Sequence, residues 1–314
     1  MVMNKEKNFM SAVIYVHNAA GRIEDFLGIL IDCMESNFEN SEIICVNDSS
    51  EDDSVECIKK VSAQAKGTSI TILNLSYFHG LEVAMNAGVD LSIGDFVLEF
   101  DTTRRDYAQE EIIKAYQKAL EGYDIVSVSA DKRQKFSSNL FYSVLSKYAD
   151  FSYKIYTESF RVLSRRVINR ISSMNKSVPY RKALYANCGL KTFHLTYQVT
   201  DHKQEDREDQ TERTYRRSLA VDTLILFTDV GYSVSRNMTA VMMVVAVCMA
   251  VYSFVIYLTS TPIEGWTTTI LFLAFAFFGL FAILTIIIKY LQVLVELVFK
   301  RKKYSFESIE KLTK

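Results

Sequence analysis

The sequence predicts an α/β domain with a mainly parallel sheet, followed by an interfacial helix and two membrane-spanning helices. Three observations carry this expectation. Between Ala12 and Ser129, short β-branched runs alternate with helical stretches in the manner of βαβ units. Beyond residue 236 come two long apolar segments without formal charge. The composition, 49% hydrophobic and 23% charged over 314 residues with only 11 Gly and 2 Pro, excludes a disordered or collagen-like chain.

The elements follow in order. Ala12–Val16 is a strand, followed by His17-Asn18 and a helix to about Met34. Glu42–Val46 is a second strand, ending in Asn47-Asp48-Ser49-Ser50, and Asp52–Ala65 reads as a helix. Ser69–Leu75 is a third strand and Leu81–Leu91 a helix. Gly94 is a breaker before the strand Asp95–Phe100, which ends at Asp101. Tyr107–Leu120 is helical and Ile125–Ser129 a further strand. Ligands of such sheets bind beyond the carboxyl ends of the strands. Three polar clusters fall there: His17-Asn18, Asn47-Asp48 and Asp101.

Five cysteines, an odd number without a CxxC pair, argue against a disulfide framework or structural zinc and favour a reducing compartment. A net charge of −1 excludes a generic polyanion binder, so nucleic acid is not an expected partner.

Met238–Leu258 holds 21 residues and Trp266–Ile288 holds 23, all without formal charge. About 20 apolar residues cross a hydrocarbon core of about 30 Å. Basic residues flank the pair on its outer sides: Arg216, Arg217 and Arg236 before, Lys289 and Lys300–Lys303 after. The linker Thr259–Gly265 has none. The positive-inside rule therefore puts both termini in the cytoplasm. No N-terminal signal segment is read. Ser218–Val234 is mostly apolar with Asp222 and Asp229 interrupting, and reads as an interfacial helix or a core helix of the head domain. The expected organisation is a domain over 1–215, an interfacial helix over 216–236, a two-helix anchor over 237–299 and a basic tail over 300–314.

Several stretches carry a resemblance: VIYVHN (Val13–Asn18), VNDSSEDDS (Val46–Ser54), HGLEVAMNAGVDLSIGDFVLEFD (His79–Asp101), SFRVLSRRV (Ser159–Val167), EGW (Glu264–Trp266) and the segment Lys289–Tyr304. In order and spacing they resemble the family 2 glycosyltransferases of GT-A fold. The nearest likeness is to the membrane-anchored polyprenyl-phosphate glycosyltransferases related to dolichol-phosphate mannose synthase. The resemblance implies an inverting transferase that moves a sugar from a nucleotide sugar, with a UDP-sugar favoured, to polyprenyl phosphate. Implied partners are therefore the nucleotide sugar, the lipid, the membrane and other copies of the chain in a tetramer. Val16, Asn18, Asp48 and Ser50 are implied in nucleotide binding, with Asp48 accepting from the base. A turn that caps the next helix is the plainer role for Asp48–Asp52.

Departures from the family pattern raise a second possibility, a catalytically impaired relative acting as a sensor or scaffold. The D-x-D that holds a divalent cation, Mg²⁺ or Mn²⁺, is here Asp101-Thr102-Thr103, followed by Arg104-Arg105. Arg104 or Arg105 could contact the diphosphate in place of the metal, or face solvent with Arg105 paired to Asp106 or Glu110. Ser159 stands where the family carries an acceptor-side aspartate. Glu158 could take that role if the chain turned it inward. Arg161 is implied in binding the acceptor phosphate, or forms a structural ion pair. His79 could donate to the donor phosphate, or be merely packed. Arg207, Arg213 and Tyr215 lie where the family has a basic segment and are candidates for phosphate contacts.

Overall fold

The computed structural model describes residues 5–131, 156–173, 180–200, 210–227 and 305–313, with scattered helical positions between 237 and 294. One compact unit comprises the chain up to Leu219 together with Arg301–Lys314, and a second consists chiefly of Ala220–Lys300.

The first unit is built on an eight-stranded sheet in the order β7-β5-β6-β4-β1-β2-β3-β8. Its centre is the expected parallel part: β1 (Met10–Val16), β2 (Ser41–Asn47), β3 (Thr68–Leu75) and β4 (Phe96–Phe100). The helices between them are α1 (Ala20–Asn37), α2 (Ser54–Ser62) and α3 (Leu81–Leu91). α4 (Glu110–Leu120) leads to β5 (Ile125–Ala130).

Every residue of β1 is buried, so the strand packs on both faces. Alternate residues serve opposite layers. Met10, Ala12, Ile14 and Val16 join α1, α2 and α4, whereas Val13 and Tyr15 join α3. α1 turns Ile23, Phe26, Leu27, Leu30, Ile31 and Met34 inward at helical spacing. α3 comes so close that a Cβ on Gly88 would lie 2.4 Å from Val13 and 2.5 Å from Val46. That approach packs α3 close against β1 and β2.

The sheet is more mixed than the sequence suggests. β6 (Phe160–Ser164) runs antiparallel to both β4 and β5, and β7 (Thr192–Tyr197) runs parallel to β5. α5 (Arg165–Ser173) and α6 (Arg181–Asn187) follow β6. Within the expected basic tail, Phe306–Lys311 forms β8, antiparallel to β3 at the sheet edge. Beyond that strand, Thr313 Oγ1 takes the Ile70 amide at 2.6 Å and the Leu312 amide reaches the Ile70 carbonyl at 2.8 Å.

α7 (Gln210–Phe227) covers the first part of the expected interfacial helix. The rest of that stretch, and most of Met238–Leu258 and Trp266–Ile288, lies outside the described residues. Among the described residues no helix is long and apolar enough to cross a membrane. Within the second unit, Gly279 lies against Met242, where an added Cβ would come within 2.4 Å of the Met242 methyl. Lys289 pairs with Asp222 at 3.0 Å. Its described apolar residues include many exposed ones, among them Val244, Leu273, Phe277, Leu280, Ile287 and Leu294.

Candidate active site

Asp101 sits at the carboxyl end of β4, at the sheet centre, where the elements bring it to two arginines. β6 pairs with β4 so that Arg161 stands opposite Glu99. Arg181 enters from the first residue of α6. Arg161 donates from Nη1 to Glu99 at 2.6 Å, from Nη2 to Asp101 at 2.7 Å and from Nε to Glu158 at 2.8 Å. Arg181 donates from Nη1 to the other Glu99 oxygen at 2.8 Å, from Nη2 to the other Asp101 oxygen at 2.7 Å and from Nε to Glu82 at 3.0 Å. The Tyr185 hydroxyl also donates to Glu99, at 2.7 Å. Glu99 and Asp101, two residues apart on one strand face, are thus both bridged by the same two guanidinium groups.

Each arginine is 1% exposed. Charges so buried persist only when paired and hydrogen-bonded. Burial opposes the charge of Arg161, but Asp101, Glu158 and Glu99 outweigh it and raise its pKa well above the arginine norm. Arg181 is raised in the same way against the same burial by Glu99, Asp101 and Glu82. Burial also works against the Asp101 carboxylate, and Arg161, Arg181 and Lys182 overcome it, holding the group well below the usual carboxylate range. Burial and the adjacent Glu99 push the Tyr185 phenol far up.

Of the two expected roles of Arg161, the described contacts are those of the structural ion pair, with three protein carboxylates as its neighbours. Glu158 does turn inward: its side chain is 2% exposed, with Lys182 at 3.9 Å as well as Arg161. Ser159 turns to another set of groups. Its hydroxyl lies 2.6 Å from that of Tyr197, which donates to Asp106. Because Tyr197 has one proton and gives it to Asp106, Ser159 is the donor in its own bond.

The implied divalent cation belongs at Asp101 and Thr103, and the residues there do not fit one. Both Asp101 oxygens accept guanidinium N–H bonds. Thr103 brings no charge, is buried, and accepts from Arg22 Nε at 3.4 Å. Among the described residues no group of three or more His, Cys, Asp or Glu side chains is arranged to hold an ion. Arg105 Nη1 donates to the Tyr107 carbonyl at 3.2 Å. The Arg104 amide donates to Thr102 Oγ1 at 3.2 Å. Arg22, Thr103, Arg105 and Tyr107 line a cavity of about 500 Å³ whose walls also include Asp25 and Asp32.

The other two strand-end clusters form a second assembly. Asp48 is fully buried. Its oxygens accept the His79 amide at 2.7 Å, the Gly80 amide at 2.8 Å and the Tyr15 hydroxyl at 3.1 Å. Burial raises its pKa despite these bonds and the nearby His17. Asp48 therefore ties the loop before α3 to β1 and β2. The Val16 carbonyl accepts the Asp48 amide at 2.9 Å. Asn18, at φ +46°, gives its amide to Ser50 Oγ at 3.1 Å and takes the Glu51 amide at 2.9 Å. Asp52 accepts the Ala20 amide at 2.9 Å and that of Ser54 at 3.1 Å, joining the starts of α1 and α2.

His79 is packed, the plainer of its two expected roles. Its Nδ1 meets the Tyr77 carbonyl and its Nε2 the Ser305 amide at 3.2 Å. A carbonyl can only accept and an amide only donate, so Nδ1 carries the proton and neither nitrogen is left to serve a donor phosphate. Tyr215, expected as a phosphate contact, lies against Gly80. With φ at +84°, Gly80 has no side chain to hinder the ring, and a Cβ there would sit 2.2 Å from Tyr215 Cζ. Phe78 meets the same ring edge-on at 5.9 Å. Arg207 lies outside the described residues, as does the side chain of Arg213 on α7.

Glu82, Glu99, Arg181 and Tyr185 were not singled out from the sequence. Glu99 offered a signal, a lone carboxylate in the apolar run FVLEF. Arg181 and Glu82 offered none, because only the fold brings them to β4.

With this geometry established, comparison with known proteins is informative. The model of glycosyl transferase family 2 matches residues 11–175, more than half of the chain. The chain belongs to this family. As a family 2 glycosyltransferase it is similar to the uncharacterized glycosyltransferase sll0501 of Synechocystis sp., at 27% identity over 80% of this chain and 79% of the relative. It is 31% identical to an undecaprenyl-phosphate 4-deoxy-4-formamido-L-arabinose transferase of Edwardsiella ictaluri, over 41% of this chain and 39% of that one. Glucosyl-3-phosphoglycerate synthase of Mycobacterium tuberculosis, solved with phosphoglyceric acid, shares the fold at a TM-score of 0.50 and 13% identity, over 69% of this chain and 79% of that structure.

Proposed function

We propose that this family 2 glycosyltransferase moves a sugar from a nucleotide sugar to polyprenyl phosphate at the cytoplasmic face of a membrane. The observation that carries the reading is the return of the chain to its own sheet. The first unit ends at Leu219, within α7, and after residues 220–300 the chain rejoins it, where β8 pairs with β3. A segment that crosses a bilayer and returns to its starting domain crosses an even number of times. Two spans at Met238–Leu258 and Trp266–Ile288 satisfy this, and the exposed apolar residues of the second unit suit lipid. The undecaprenyl-phosphate transferases among its relatives support the same acceptor class.

In the proposed reaction an oxygen of the acceptor phosphate bonds to the anomeric carbon. The bond from that carbon to the donor diphosphate breaks, and the nucleoside diphosphate departs with the electron pair. Such an acceptor is already ionised near neutral pH, so no side chain need take its proton. This agrees with Ser159, which cannot act as a carboxylate base. Glu158, Glu99 and Asp101 hold the two arginines rigid at the strand end beside the reacting groups, so the site is organised before substrate arrives.

The test is mass spectrometry of lipid extracts from cells expressing the chain, with Asp101→Asn as control. A polyprenyl-phosphate sugar present with the wild type and absent from the control is the expected result. No new lipid from folded protein, in cells rich in nucleotide sugars, would overturn the acceptor assignment and return attention to a sensor or scaffold.

A further inference from the structure

We propose that Asp101 holds no divalent cation and that guanidinium groups replace the ion in this chain's handling of its nucleotide. The inference rests on the reading of this cleft as the donor site, and deepens it. A metal at Asp101 needs at least one carboxylate lone pair directed at it. Here each oxygen accepts a charge-assisted bond of 2.7 Å from a different buried arginine. Glu99 holds both arginines from one side, and Glu158 and Glu82 each hold one from the other. Each oxygen keeps a second lone pair, but the guanidinium charge it already accepts weakens it as a metal donor, and Glu99 beside it is held by the same two arginines.

The surroundings agree. The second position of the expected acidic pair is the neutral Thr103, and its hydroxyl contacts a third guanidinium, that of Arg22. Arg104 and Arg105 follow directly in the chain. Around Asp101 the two buried guanidinium groups are matched by four carboxylates, Glu82, Glu99, Asp101 and Glu158, so the positive charge met by a diphosphate is that of Arg22, Arg104 and Arg105. The positive charge that a metal would bring is thus supplied from α1 and the loop after β4, while β6 and α6 supply the guanidinium groups that hold Asp101.

The experiment uses the full chain in detergent micelles. Mn²⁺ is the first probe, followed by the electron paramagnetic resonance signal of the free ion. UDP and GDP are the second, measured by equilibrium dialysis in EDTA and in Mn²⁺. The expected result is a free-Mn²⁺ signal undiminished by wild-type protein, with dissociation constants in the two buffers agreeing within about twofold. Mn²⁺ bound by the wild type and released in Asp101→Asn would overturn the proposal. So would a nucleotide held about tenfold or more tightly in Mn²⁺ than in EDTA. Mn²⁺ retained equally by both proteins places the ion away from Asp101 and leaves the proposal standing. If neither nucleotide is held in either buffer while the Mn²⁺ signal stays free, the donor-site reading fails and the assignment at Asp101 survives. The wild-type measurement decides without the variant, so a folding defect in Asp101→Asn does not blunt the test.

Discussion

Removing one partner from a buried ion pair strands the other charge, and Glu99 has two guanidinium groups and a phenol depending on it. Glu99→Gln is expected to lower unfolding free energy by about 3–5 kcal/mol in urea titrations. Lys114, paired with Glu111 at 2.6 Å on the surface, provides the contrast. Lys114→Ala should cost less than about 1 kcal/mol, because solvent screens that pair. Acid sensitivity follows from Asp101. Its folded carboxyl is depressed below its unfolded value, so its contribution is complete above the unfolded pKa of about 3.9 and is lost as pH falls below it. Between neutral pH and about pH 3, the wild type should therefore lose melting temperature more steeply than Asp101→Asn. Equal slopes would show that the two arginines do not control that carboxyl.

Elements differ in how much they announced themselves. β1 to β5 and the helices between them were legible because buried strands need runs such as AVIYV and EIICV, and amphipathic helices need their own spacing. Strand β8 was not: FESIEK has the charge of a solvated tail, and only its antiparallel register with β3 makes it a strand. At the site, Asp101 and Arg161 could be picked out singly from the sequence. That they bind each other could not, because the antiparallel turn of β6 sets the pairing. The contacts of Asp48 were hidden for a similar reason. Its partners, the His79 and Gly80 amides, lie 31 and 32 residues away and carry no side-chain signature. An element-scale prediction follows from β8. A chain ending at Lys303 should expose the edge of β3, lose hydrogen-exchange protection at Thr71–Leu75, and aggregate more readily. Unchanged protection there would mean that β3 needs no partner on that side.

For the whole molecule, the return of β8 to the sheet makes a topological prediction. Tags at either end of the chain should be digested together with the first unit in inverted vesicles, and a cysteine replacing Pro262 should react only from the opposite face. An outer reaction at the C-terminal tag would break the proposed arrangement. The same return governs the timing of synthesis. On the ribosome, β8 follows β3 by more than 200 residues, so at about 5–20 residues per second the edge of β3 waits on the order of 10–50 s for its partner. Both apolar segments are made during that wait. The tail amide of Ser305 that holds His79 arrives last, so the loop before α3 acquires that contact only after both apolar segments have been made.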